Sequence, residues 1–217
     1  FLKNREIAVT GEWQVIMNDV NEEGLQEAKT NKQIEKYENV YTLGWAEVAN
    51  ENEGKPYLLV QSLGDTEHTL FPINLISGRM PEKQDEILLP ENLIANAKEK
   101  YQVGDTITLE TGQRFIEKEQ LSENTPYQEN ESLKNTTKHT FTIVGIMERL
   151  PFEIEEFSCP GYTCITNGFH TDSQKLFLTI QSPSKMHEFL MRQTISDSYV
   201  PHSDLLRFYG AFKASGE

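Results

Sequence analysis

The order of its hydrophobic patterns predicts an α+β protein: a split β-α-β sandwich of the ferredoxin-like type with a β-rich lobe inserted. Three observations lead there. The first 65 or so residues read as β-α-β-β and the last stretch as β-β-α. Each block's helix has only one apolar face, so neither half closes a core alone. Between them, from about residue 75, prolines and a glycine break all periodicity before a new set of short strands begins. The expected subdomains are therefore 1–74 joined with 150–217, and 75–149 as the inserted distal lobe, with both termini on the same face. No internal repeat is visible.

The elements follow in order. "EIAVTGEWQVIMNDV" (6–20) is rich in β-branched and aromatic residues and reads as a strand or bulged hairpin. "NEEGLQEAKTNKQIEKYE" (21–38) opens with Asn and two acids, the start of a helix with a thin stripe of Leu25, Ala28, Ile34 and Tyr37. "VYTLGWAEVA" and "KPYLLVQSL" are strands across the turn "NENEGK". In the middle, "EILLP" is a buried strand, "PENLIANAKEKY" a helix facing inward with Leu93, Ile94 and Ala97, and "VGDTITLE" a turn into a strand. The polar tract 111–138 has little to hold it down and reads as a mobile hairpin tip or loop. "HTFTIVGIMER" is the clearest strand pattern, "YTCITN" a short strand and "QKLFLTIQ" another. "SPSKMHEFLMRQTI" is a helix capped by Ser182 with Pro183 at its first position. The closing "SDSYVPHSDLLRFYGAF" gives mixed signals.

Composition excludes several functions. With 217 residues, 37% hydrophobic and 10% aromatic, the chain folds. Its net charge of −14 leaves no basic stripe for nucleic acid. No apolar run approaches the roughly 18 residues of a membrane span. The chain starts at Phe1 without Met or a leader-like segment, and reads as a piece of a longer protein.

Chemistry is hard to find in it. There is no phosphate-cradling Gly loop and no G-x-S-x-G elbow. His68, His139, His170, His187 and His202 lie far apart and lack metal-ligand spacing. The acid groups Glu82/Asp85/Glu86 and Glu153/Glu155/Glu156 lack the spacing of a calcium loop and read as solvated faces. "NES" at Asn130 and "NTT" at Asn135 match a glycosylation sequon, which has no weight without a glycosylating host. The expectation is no catalytic residue, no cofactor and no metal. Cys159 and Cys164 are the only cysteines. They are either a disulfide across the Pro160-Gly161 turn or two unrelated small apolar residues.

The stretch 75–109, "LISGRMPEKQDEILLPENLIANAKEKYQVGDTITL", followed later by "FTIVGIMER", resembles the MacB-like periplasmic core domain of FtsX-like ABC transporter permeases. The shared pattern is a G-R-x-P turn, an E-I-x-[LV] strand, a helix, V-G-D before a strand, and a strand ending I-V-G-I. "PGYTCIT", "HSDLLRFYG" and the opening "REIAVTGEWQV" are similar to that family too, particularly its Gram-positive members. In these motifs Gly78 permits a turn that Pro81 stiffens. Arg79 ties that turn to Glu86 or a backbone carbonyl, or stays solvated. Gly104 ends the helix and Asp105 closes the turn into "TITL". The cysteine pair departs from the family pattern. The resemblance implies a porter-like, membrane-proximal subdomain. It also implies a place outside the cell, between the first and second transmembrane helices of a permease. Partners would be a separate ATP-binding subunit, a second permease subunit, and an unknown substrate or extracytoplasmic partner. The alternative is a free-standing secreted module that binds peptide or glycan.

Overall fold

The computed structural model describes residues 13–64, 70–152 and 154–181. Among them the chain forms ten strands and two helices, a mixed α+β arrangement dominated by sheet. The expected helix at 182–195, the closing segment, the start of the first strand, and His68, His187 and His202 lie outside the described residues. The chain divides into two compact units: residues 1–39, 66–71 and 174–217, and residues 40–65 and 72–173.

In the first unit, strand β1 (Val15–Val20) pairs antiparallel with β10 (Gln174–Ile180), Val15 opposite Leu178. Helix α1 (Glu22–Thr30) follows β1 and buries Leu25 and Ala28 against Val15, Leu176, Leu178 and Ile180. Asn21 caps α1, its side chain accepting from the Gly24 N–H at 3.0 Å. The helix is shorter than 21–38. The Asn31 side chain accepts from the Gln33 N–H, an Asx turn that diverts the backbone, and strand β2 (Ile34–Glu47) begins. Ile34 and Tyr37, read as part of a helical stripe, are strand residues; a β-branched and aromatic run such as this suits the pleated surface better. On this unit's side of β2, the buried Glu38 carboxylate accepts from the N–H groups of Leu70 (2.8 Å) and Phe71 (3.0 Å).

The second unit takes the rest of β2 together with β3 (Tyr57–Leu63), β4 (Leu75–Gly78), β5 (Glu86–Pro90), helix α2 (Glu91–Asn96), β6 (Thr106–Ile116), β7 (Glu119–Gln120), β8 (Ser132–Met147) and β9 (Gly161–Asn167). Its strand order is β2-β3-β9-β5-β8-β6, with β7 on β6 and β4 on β8. β3 runs parallel to β9, and β5 parallel to β8. A further bridge, Trp45 opposite Gly112, joins β2 back to β6 and closes the six strands into a ring. The ring encloses Ala46, Leu58, Val60, Ile87, Leu89, Ile107, Leu109, Phe141, Ile143, Tyr162 and Cys164, plugged by Leu93 of α2.

The unit boundary differs from the expected one. β3 and β9, expected with the termini, pair with each other, β9 also pairs with β5 of the middle segment, and the second compact unit holds all three. Helix α2 is also shorter than its pattern. Asn96 donates from its side chain to the Asn92 carbonyl (2.7 Å), and Ala97 bridges to Asn50 as in a sheet. Gly104 therefore does not end that helix.

Candidate functional site

The motifs of 75–109 form one stitched assembly. At Gly78 the backbone turns with φ +78°, and a Cβ there would meet the backbone of Gly145 at 2.6 Å, so only glycine fits. Arg79 then reaches over the turn. Of the arrangements open to it, the structure contains the tie to Glu86: Nη1 and Nη2 donate to the two carboxylate oxygens at 2.8 and 2.6 Å. Nη1 also donates to the Met80 carbonyl. The Glu82 N–H donates to the same carboxylate at 2.8 Å, so Glu86 closes the loop from inside. The Arg79 guanidinium, then the Glu82 N–H, hold the Glu86 carboxyl well below its ordinary range, at about 2.

This loop is bolted to the far end of β9. The Asn167 side chain donates to the Pro81 carbonyl (3.2 Å), Thr166 Oγ1 donates to the Glu86 carbonyl (2.7 Å), and Gln84 donates to the Gly168 carbonyl. Gly104, at φ +100° with open space around it, turns the chain, and its N–H donates to Ile143 of "FTIVGI" at 2.8 Å. Asp105 accepts from the Gln102 N–H through its side chain and from Ile143 through its carbonyl. The residues singled out in the sequence thus join three segments, with no nucleophile or proton-transfer pair among them.

Cys159 and Cys164 are not bonded to each other. The stretch from Gly161 is not a turn but β9, and the Pro160 carbonyl already accepts from the Tyr57 N–H as the ladder begins. Three extended steps from Gly161 to Cys164 span about 10 Å. Cys164 faces the ring interior, while Cys159 packs outside with Trp45, Tyr57 and Leu59. Of the two alternatives left open by the sequence, the structure contains two free, buried thiols. Burial pushes the Cys159 thiol up to about 12 and Cys164 higher still.

Sequence reasoning missed a fully buried polar site among the described residues. Arg114 and Glu131 form a fully buried ion pair (2.7 Å) outside the ring. Nε and Nη2 of Arg114 hold both Glu131 oxygens, and the guanidinium also donates to the carbonyls of Ser122, Thr125 and Pro126. It lies 5.3 Å from the Trp45 ring and 5.8 Å from Tyr57. Burial first, then the Glu131 carboxylate, raise the Tyr57 hydroxyl far above its usual range, so it stays neutral. The tract 111–138 is therefore a tied-down cover. Its signal was a lone Arg whose place in β6, out of phase with Ile107 and Leu109, puts it on the outer face.

One acid of each group read as solvated is likewise buried. Glu86 closes the turn just described, and Glu155 accepts from the Thr163 N–H (2.7 Å) and from Arg149 (3.2 Å). His139 packs against Phe141 and Phe169, and burial lowers its pKa; His170 packs on Tyr41. Among the described residues no group of His, Cys, Asp or Glu is arranged to hold a metal, and no helix is long and apolar enough to cross a membrane.

Comparison with protein families gives no match, nor does comparison with curated proteins. Solved structures similar to this chain include the extracellular domain of the noncanonic ABC-type transporter YknZ from Gram-positive bacteria, at 8% identity over 78% of each chain, with a TM-score of 0.44. A domain of a putative permease protein from Porphyromonas gingivalis is similar at 12% identity over 84% of this chain and 80% of that one, TM-score 0.42. The periplasmic region of MacB from Actinobacillus actinomycetemcomitans is similar at 8% identity over 82% and 75%, TM-score 0.42.

Proposed function

We propose that this chain is the extracytoplasmic domain of an ABC transporter permease, placed between its first and second transmembrane helices. The observation that carries the reading is the ordered motif set: G-R-M-P, E-I-L-L, V-G-D, I-V-G-I and P-G-Y-T occur in family order. In space the glycine-arginine turn and the V-G-D turn are bonded to the strands built by the remaining motifs. Residues far apart in the chain share these bonds, so the motifs behave as parts of one design. The finer reading, a porter-like split β-α-β subdomain, takes its support from the strand order β1-β10-β2.

In this reading the domain performs no catalysis. A separate ATPase subunit hydrolyses ATP, and the domain turns the resulting motion into export, substrate handling or regulation of a partner outside the cell. A second permease subunit completes the assembly. The test is the coding sequence on both sides. Apolar runs of about 20 residues before Phe1 and after Glu217 are expected. Polar or absent flanks would overturn the proposal in favour of a secreted module.

A further inference from the structure

Two phenylalanines stand out in water on a base built to hold them. In the segment 148–158, "ERLPFEIEEFS", Phe152 is 47% exposed and Phe157 75% exposed. Their rings stack with centroids 4.0 Å apart at 30°. Arg149 lies beneath, its guanidinium 4.0 Å from the Phe152 centroid and 5.2 Å from Phe157. That guanidinium is fixed in turn, Nε donating to the buried Glu155 carboxylate (3.2 Å) and Nη2 to the Glu155 carbonyl (2.7 Å). Glu155 is itself anchored by the Thr163 N–H of β9 and by Asn92 of α2 (3.2 Å). The chain from β9 to Glu155 to Arg149 to the two rings fixes an apolar surface before any partner arrives, which lowers the ordering cost of binding. Anchored aromatic residues beside arginine are what interface hot spots are made of.

The charge around the platform selects the partner. Arg149 is the one base in 148–158, and Glu155 already neutralises it. Of the described ionisable groups that remain in the segment, Glu148 and Glu156 are acids, Glu91 accepts from the Arg149 N–H (3.4 Å), and the neighbouring Lys55 ammonium is taken up by the Cys159 carbonyl (2.7 Å). A second copy would bring the same acids, on a chain of net charge −14, against themselves. An anionic lipid surface would meet the same repulsion.

We propose that Phe152 and Phe157 form a docking platform for a cationic amphipathic peptide segment. An apolar side chain seats on the outer face of Phe157, and Lys or Arg side chains meet Glu148 and Glu156. The assignment uses only this segment, so it stands or falls separately from the flanking sequence.

The test is fluorescence anisotropy of this chain with a labelled leucine–lysine peptide of helical spacing. Micromolar binding is expected, weakened by about tenfold or more in Phe157→Ser. A serine–lysine peptide of equal charge and a leucine–glutamate peptide should each bind at least about tenfold more weakly. In the unsubstituted chain the leucine–lysine peptide should shift the NMR ring resonances of Phe152 and Phe157, a readout independent of any variant's folding. Equal binding of the serine–lysine peptide, unchanged affinity in Phe157→Ser, or resonance shifts confined to other residues would each overturn the proposal. So would Phe157-dependent capture of phosphatidylglycerol vesicles in place of the peptide.

Discussion

Arg114 shows how much a single residue holds here. Its five donors face a carboxylate and three backbone carbonyls, all out of water. Truncation would leave the Glu131 charge buried without its partner, so Arg114→Ala should cost about 3–5 kcal/mol in urea unfolding. A loss under about 1 kcal/mol would mean that water replaces the guanidinium. Glu86 gives a pH signature. Its folded carboxyl sits at about 2 against 4.5 for a free one, so the folded state binds fewer protons than the unfolded state in that interval. The stabilisation is complete above about 4.5 and is lost as pH falls through about 2. In Arg79→Met the Glu86 titration, followed by NMR, should move back up toward the free value; an unmoved midpoint would contradict the tie as its cause. The thiols offer a third check. With burial raising both, Cys159 and Cys164 should resist alkylation in the native state, and both should label after denaturation without reductant. Much of this was not readable from the string of letters. The G-R-x-P turn announced its arginine, because glycine and proline mark turns locally. The partner of Arg114 is Glu131, 17 positions away across a hairpin that the polar tract concealed.

At the scale of elements, the hairpin of β6 and β8 departs most from its sequence texture. Composition alone predicts a loose tract at 111–138, since few apolar side chains are available there. The structure replaces apolar anchoring with one buried ion pair and the rings of Trp45, Tyr57 and Tyr127. Limited proteolysis should therefore spare residues 117–131 in the parent chain and cut there first in Arg114→Ala. Early cleavage of the parent at that tract would show that the cover opens freely. Strands with strong alternation or continuous apolar runs, such as "YLLV", "EILLP" and "FTIVGI", lie where their patterns put them, because burial on one or both faces dictates them. Helix ends were harder. Asn31 and Asn96 stop α1 and α2 with local side-chain bonds and, for α2, with a bridge to Asn50 that no nearby residue foretells.

For the whole molecule, the absence of any phosphate-binding loop leads to a simple expectation: calorimetric titration with ATP and magnesium should give no saturable heat, and a micromolar isotherm would contradict the role proposed for this chain. The ring of the second unit has another consequence, in time. β6 and β8 are joined through a local hairpin, whereas β3 and β9 meet in parallel from positions about 100 residues apart, a costly closure to make early. The hairpin should therefore gain amide protection first during refolding. The parallel seam between Tyr57–Leu63 and Gly161–Asn167 should be the last ladder of the ring to acquire it. A newly made chain would then wait, with Leu58 and Val60 of β3 still wet, until β9 had been synthesised.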